Sequence, residues 1–296
     1  MKHYSHKGLA RRGSVLANTC ILLCSMVLQV QGGGNLTNSV LESGQAAGGP
    51  AKVGLAALSR KKGVGQNVRV PEAIDALRCS WYYNWTPRPF ANSEGIRAAF
   101  VPMIWSGKDL DRRLAAAKST GASTLLGFNE PDGKDQADMS VDEAVRLWPK
   151  LMATGMRLGS PAPKMTGEWL HRFMTEAKKN HLRVDFLCLH WYGDITKPGA
   201  LESLRGFLED YWNRYHLPIW LTEFSGADFE WHARKTTVED NARFAEAACE
   251  LLESLPYVER YAWFAVSPQG KEYSKVGLFS SNHHKLTVVG EVYRRK

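Results

Sequence analysis

Two glutamates carry the chemical interest of this chain because of the runs they terminate. Glu130 lies in Gly127-Phe128-Asn129-Glu130-Pro131-Asp132 and Glu223 in Leu221-Thr222-Glu223-Phe224, each closing a short apolar stretch that reads as a β-strand. A third such stretch closes on His190-Trp191-Tyr192. Two carboxylates facing each other across a cleft can split a bond between them. One protonates the departing oxygen while the other attacks or activates water, which is what cleavage of a glycosidic bond requires. A lone strand-end Glu reads as well as a helix cap or a surface acid, so the pairing is what points to chemistry. Aromatic residues at strand ends add to it, since the C–H faces of sugar rings stack on indoles and phenols. Trp81, Tyr82, Trp105, Trp191 and Trp263 are candidates for that role, whereas Trp148, Trp169, Trp212 and Trp220 read as packing between layers.

The elements that must hold these residues alternate in type. Strand-like runs cover Lys62 to Asn67, Cys79 to Trp85, Ala99 to Trp105, Thr124 to Asn129, Arg157 to Pro161, Asp185 to Tyr192, Pro218 to Phe224 and Arg260 to Val266. Helical spacing covers Pro71 to Leu77, Asp109 to Thr120, Val141 to Ala153, Glu168 to Asn180, Leu201 to Tyr215 and Thr237 to Leu255. Ser140 with Glu143 has the form of a capping box, and Gly121 and Gly155 stand where helix C-terminal glycines belong. After a loop or hairpin over Gly277 to Lys285, Leu286 to Arg295 reads as a closing helix. Strands joined by single helical crossovers are parallel, and eight of them over about 235 residues predict an α/β fold of the (β/α)8 TIM-barrel type in a single catalytic domain. An open dinucleotide-binding sheet is disfavoured, because Gly63-Val64-Gly65 lacks a third glycine and lies inside the strand. In a barrel, Glu130 and Glu223 close strands four and seven at the catalytic face.

Ahead of the barrel, Lys2, Lys7, Arg11 and Arg12 precede the mostly apolar Ser14 to Val30, the layout of a secretory signal over residues 1 to 32. A Gly- and Ser-rich stretch over 33 to 60 reads as a flexible linker, leaving 61 to 296 for the catalytic domain. Arg60-Lys61-Lys62 reads as a basic strand start rather than a processing site. Removing the leader takes the formal charge from +8 to about +4, so half the basic excess is targeting information and no nucleic-acid partner is implied. Of the five cysteines, Cys79, Cys188 and Cys249 remain, enough for one bridge at most. Asn35-Leu36-Thr37 and Asn84-Trp85-Thr86 fit the N-glycosylation rule, the second inside a strand and too enclosed for use. His283-His284 is an adjacent pair whose side chains diverge, so no metal is called for, and no Gly-x-Ser-x-Gly elbow supports a serine hydrolase.

The ordered set Trp81-Tyr82-Tyr83-Asn84-Trp85, Phe100 to Trp105, Leu126 to Asp132, Cys188 to Tyr192, Leu221 to Phe224 and Trp263-Phe264 resembles glycoside hydrolase family 128, within the clan of retaining (β/α)8 glycosidases. The resemblance spans about residues 60 to 296 and implies an endo-acting β-1,3-glucanase, independent of metal and cofactor, that works by double displacement. It implies Glu130 as acid/base, Glu223 as nucleophile, Asn129 bonded to the 2-hydroxyl of the reacting sugar, His190 and Tyr192 orienting the nucleophile, and Trp263 as the floor of that subsite. The partner implied is β-1,3-glucan polysaccharide or its oligosaccharides, met by a monomer with no membrane association after signal cleavage. One departure is visible, since Gln66 precedes Asn67 where the family tends to carry an aromatic residue. Desolvation between Phe128 and Pro131 is expected to raise the pKa of Glu130, and polar neighbours to keep Glu223 ionised. A retaining pair stands about 5 to 5.5 Å apart and an inverting pair about 6.5 to 9.5 Å. A glucan-remodelling transglycosylase and a non-catalytic glucan-binding protein share the same cleft and stay open.

Overall fold

The computed structural model describes residues 58–164, 167–229, 235–268, 270–271, 273–283 and 285–296. The expected leader, the linker up to residue 57, the Asn35 glycosylation site and His284 lie outside the described residues. The elements run β1 (Lys62–Gly65), α1 (Pro71–Ala76), β2 (Trp81–Tyr83), β3 (Ala99–Phe100), α2 (Leu110–Lys118), β4 (Thr124–Leu125), α3 (Val141–Met152), β5 (Arg157–Leu158), α4 (Glu168–Lys179), β6 (Leu187–Trp191), α5 (Ala200–Tyr215), β7 (Ile219–Phe224), α6 (Val238–Ser254), β8 (Val258–Trp263) and α7 (Val288–Arg295).

All strand pairs are parallel. Six strands follow the order β3-β2-β1-β8-β7-β6, and β4 pairs with β5. Parallel bridges from Met103 to Leu126 and from Gly159 to Phe186 join the two groups at both edges, so the strands form a closed ring of eight. This is the (β/α)8 barrel that the alternation predicts. The regular ladders are shorter than the sequence runs for a local reason at β3. Pro102 has no N–H to donate, yet its carbonyl accepts from the Leu126 amide at 2.9 Å and Ile104 donates back to Leu126, so the strand continues past the interruption.

Strand alternation sorts the side chains into two cores. Inside the barrel sit Trp81, Tyr83, Val101, Met103, Leu126, Phe186, Cys188, Trp220 and Ala262. Between sheet and helices lies a larger cluster that includes Val64, Phe128, Trp148, Leu189, Leu221, Tyr261 and Trp263. Trp148 is fully buried against Phe128 and Phe173, and Trp169 and Trp212 are half-buried, as layer packing requires. Trp220 differs from its expected position, because it fills the barrel interior against Trp81 and Phe186 rather than the helix layer. Gly63 makes this possible: a Cβ there would lie 2.3 Å from the Trp81 indole, which occupies the space a side chain would need.

Helix ends follow the local chemistry. Ser140 caps α3 by accepting from the Glu143 amide, and Thr237 with Asp240 forms a full reciprocal box on α6. Gly121 and Gly155 take φ of +73° and +76° beyond α2 and α3. At the opposite ends, the strand-start lysines serve as caps. Lys61 Nζ donates to the carbonyls of Leu252, Glu253 and Leu255 at the end of α6, and Lys62 Nζ to Tyr293 and Arg294 at the end of α7. These are the carbonyls that a helix cannot satisfy itself. No disulfide forms among Cys79, Cys188 and Cys249, which are buried free thiols, and burial pushes Cys79 and Cys249 up to about 12. Asn84 is 3 % exposed and bonded to Arg88 and Thr86, which leaves its amide enclosed.

Lys62 is 1 % exposed, so replacing it leaves carbonyls without donor or water. Lys62→Met is expected to cost about 1–3 kcal/mol in thermal or denaturant unfolding, and Lys61→Met less, since its partners can rehydrate. Equal losses in the two variants would refute the assignment of α7 docking to Lys62.

Candidate active site

Four strands converge on one charged cluster. Glu130 follows Asn129 beyond β4, held by its amide to the Ala162 carbonyl at 2.7 Å, with φ of +43°, a left-handed conformation unusual for a side-chain-bearing residue. Its Oε1 lies 3.1 Å from His190 Nδ1. On the other side of the same ring, His190 Nε2 stands 3.5 Å from Glu223 Oε1. One ligand atom from each of the three residues falls within 4.8 Å of the others. His190 is 3 % exposed, Glu223 5 % and Glu130 8 %.

Glu223 is held by neutral donors. Tyr192 Oη donates to Oε2 at 2.5 Å, while Trp85 Nε1 at 2.9 Å and Tyr83 Oη at 3.2 Å donate to Oε1. Strict alternation from Trp220 would send Glu223 outward into the helix layer. Register irregularities between Ile219 and Trp220 and between Leu221 and Phe224 break the period, and both residues face inward. Trp85, with φ of +58°, reaches Glu223 over Gly65, where a Cβ would come within 2.9 Å of the indole. Asn129 Nδ2 lies 3.5 Å from Gln136 Oε1, and Asn129 Oδ1, though buried, has no hydrogen-bond partner, leaving an acceptor for an incoming hydroxyl.

Burial pushes the Glu223 carboxyl above the usual carboxylate range, and Glu130 adds to the rise, while His190, Tyr192 and Trp85 oppose it. This corrects the expectation that polar surroundings alone keep Glu223 ionised. The three donors and the imidazole offset desolvation only in part. Burial disfavours the charged form of His190, but Glu223 and Glu130 together outweigh it and raise its pKa. Burial and then Glu223 raise Tyr83 and Tyr192 well above the phenol range, which keeps both as O–H donors.

The aromatic expectations divide by strand parity. Trp105 is half-buried against the interior cluster beyond β3. Trp263 is not a subsite floor: it is fully buried in the helix layer, donating to the Val276 carbonyl and packed on Phe224 and Tyr293. Its neighbour Phe264 takes the inward position and meets Trp85 and Tyr273 edge-on, with Tyr192 beside it. Tyr82 faces outward against Phe100, and Trp191 stacks on Phe244 of α6. Trp81 faces inward but lies at the lower layer, donating to the Lys61 carbonyl. Gln66 is fully buried and does not reach the cleft surface. Sequence reasoning missed Tyr83, Trp85, Gln136 and Phe264. Register shifts between β7 and β8 leave no period-two signal in the sequence that selects Phe264 over Trp263. Among the described residues no helix is long and apolar enough to cross a membrane.

The model of the glycosyl hydrolase catalytic core matches residues 67–293. Alkali-sensitive linkage protein 1 of Schizosaccharomyces pombe is 31% identical over 228 residues, covering 72% of this chain and 40% of that protein, so the chain spans under half of that relative's length. The crystal structure of a GH128 (subgroup I) endo-β-1,3-glucanase from Amycolatopsis mediterranei with laminaritriose matches at a TM-score of 0.73 and 39% identity, covering 80% of this chain and 99% of that one. A subgroup II endo-β-1,3-glucanase from Sorangium cellulosum matches at 0.69 and 29% identity, over 79% and 97%. A subgroup III curdlan-specific exo-β-1,3-glucanase from Blastomyces gilchristii with glucose matches at 0.62 and 30%, over 79% and 97%.

Because the folded state favours the protonated form of Glu223, its contribution to stability falls as pH rises above the unfolded value near 4.5. Glu223→Gln is therefore expected to raise the thermal midpoint at neutral pH relative to the unaltered chain, with the difference shrinking as the pH falls to that value. Melting curves across this window check it, and a Gln variant less stable at neutral pH would refute it.

Proposed function

Given that the chain belongs to the glycosyl hydrolase catalytic-core family, within glycoside hydrolase family 128, and is a glycoside hydrolase, we propose that it cleaves β-1,3-glucan internally and with retention at the anomeric carbon. The observation that carries this reading is the closeness of Glu130 and Glu223, with ligand atoms inside 4.8 Å and one imidazole between them. That spacing suits a direct nucleophile, whereas an inverting pair needs about 6.5 to 9.5 Å for an intervening water. In the first step Glu223 attacks the anomeric carbon and forms a glycosyl ester as Glu130 gives its proton to the leaving oxygen. In the second, Glu130 takes a proton from water, which displaces Glu223 and restores both groups. Tyr192, Trp85 and Tyr83 fix the attacking oxygens, and Asn129 accepts from the 2-hydroxyl of the reacting sugar. The internal mode is supported by the two endo-acting relatives, one of them at 39% identity. The leader supports secretion of a domain spanning 61–296, met by glucan as a monomer.

The test is incubation with soluble β-1,3-glucan, following reducing ends, product length and the anomer formed first. Glu130→Gln and Glu223→Gln are each expected to lose about 10²–10⁴-fold or more in rate. Unchanged turnover in either variant, or an α-anomer formed first, would overturn the mechanism. Glucose alone from the start would indicate exo action, and products longer than the donor a transglycosylase.

Trp85→Phe removes one donor to the nucleophile and keeps the ring. It is expected to lower kcat about 10- to 150-fold with KM little changed, since one hydrogen bond to a charged group contributes about 1.5–3 kcal/mol. A change confined to KM would make Trp85 a substrate contact instead.

A further inference from the structure

We infer that Gln136 is a positioning residue for the reaction, holding the side-chain amide of Asn129 in the orientation that presents an acceptor to the reacting sugar. The functional consequence rests on the glycosidase reading given above. Asn129 is 3 % exposed, and its backbone is fixed on both sides: its own amide donates to the Trp105 carbonyl at 3.0 Å and the Glu130 amide to Ala162 at 2.7 Å. Those bonds leave the side-chain amide able to flip, because its oxygen and nitrogen are alike in size and only their hydrogen bonds tell them apart. Gln136 decides the flip. Asn129 Nδ2 donates to Gln136 Oε1 at 3.5 Å, the long end of such a bond, and the buried Oδ1 on the other side of the same amide has no partner. Gln136 is fixed in turn by its loop, 131–139, which folds back on the end of the catalytic strand. The Gly133 amide donates to the Glu130 carbonyl, the Gln136 amide to Gly133 and the Met139 amide to Pro131, at 2.8 to 2.9 Å. Lys164 braces the loop through Asp132 and Asp135, and Trp169 donates to the Met139 carbonyl. A Cβ at Gly133 would come within 3.0 Å of Gln136 Cγ, so the glutamine side chain lies directly against the turn.

The orientation acts in the transition state. As the glycosidic bond breaks, positive charge grows at the anomeric carbon and makes the neighbouring 2-hydroxyl a stronger donor. An oxygen facing that hydroxyl gains more in the transition state than in the bound substrate, which raises kcat and leaves KM nearly unchanged. Gln136→Leu is assayed on soluble β-1,3-glucan in the full chain and in Asn129→Ala, with Gln136→Met as the unbranched alternative should the first fold poorly. Either substitution is expected to lower kcat about 2- to 12-fold with KM little changed, the worth of one neutral hydrogen bond. In the Asn129→Ala background it is expected to leave kcat unchanged, because it acts through a side chain already removed. An equal loss in both backgrounds, a loss confined to KM, or no loss overturns the inference. The orientation is also read without substrate, by nuclear magnetic resonance of the Asn129 side-chain amide. Its proton facing Gln136 is expected to move upfield in Gln136→Leu as the acceptor is lost, and an unmoved resonance overturns the orientation. A resonance that moves in a chain that never cleaves glucan supports the positioning of Asn129 and refutes the proposed function alone.

Discussion

Everything at the mouth of this barrel answers one constraint: two carboxylates buried within a few ångströms of each other must share a single imidazole. Two like charges out of water at that distance repel, and each loses hydration, so the arrangement persists only with compensation. Compensation comes from His190, which touches Glu130 through one ring nitrogen and faces Glu223 with the other. It also comes from three neutral donors aimed at Glu223. An arginine or lysine in their place would offset the raised pKa of Glu223 more fully, but would add a fixed charge to the buried cluster. Neutral donors orient the carboxylate without adding such a charge.

The barrel meets this constraint through its irregularities. Glu130 and Trp85 both take positive φ, β7 breaks register to turn Glu223 inward, and Gly65 gives up its side chain so that the Trp85 indole can pass. Strain and bulges of this kind cost stability and concentrate where function needs them. The opposite end of the barrel carries cross-links that bind strands to helices and to one another. Lys61 and Lys62 close the carbonyl ends of α6 and α7, and Arg157 pairs with Glu259 through both oxygens while its guanidinium lies over Phe186. Arg260 sits 4.4 Å from the Trp220 ring. Stability is built at the N-terminal face and spent at the C-terminal face, as the fold's division of labour requires.

The aromatic lining shows how narrow the margin between core and cleft is. Phe264 and Trp263 are adjacent, and a single residue of parity separates a ring beside the donors to Glu223 from one locked under α7. The same parity separates Tyr83, which touches Glu223, from Tyr82, which packs against Phe100.

The sequence by itself determined the strand and helix alternation, the parallel barrel and the strand ends on which Glu130, Glu223, His190 and Tyr192 lie, because periodicity, capping and turn chemistry are local. It also determined that Trp148 packs between layers, since amphipathic spacing decides a helix face wherever the helix docks. Only the tertiary structure decided which aromatics face the cleft, that Trp85 and Tyr83 hold Glu223, and that Cys79, Cys188 and Cys249 stay unpaired. Those outcomes depend on register shifts in β7 and on space left by glycines in β1. A bulge or a missing Cβ acts on a neighbour distant in sequence, through contacts that no single stretch of chain contains.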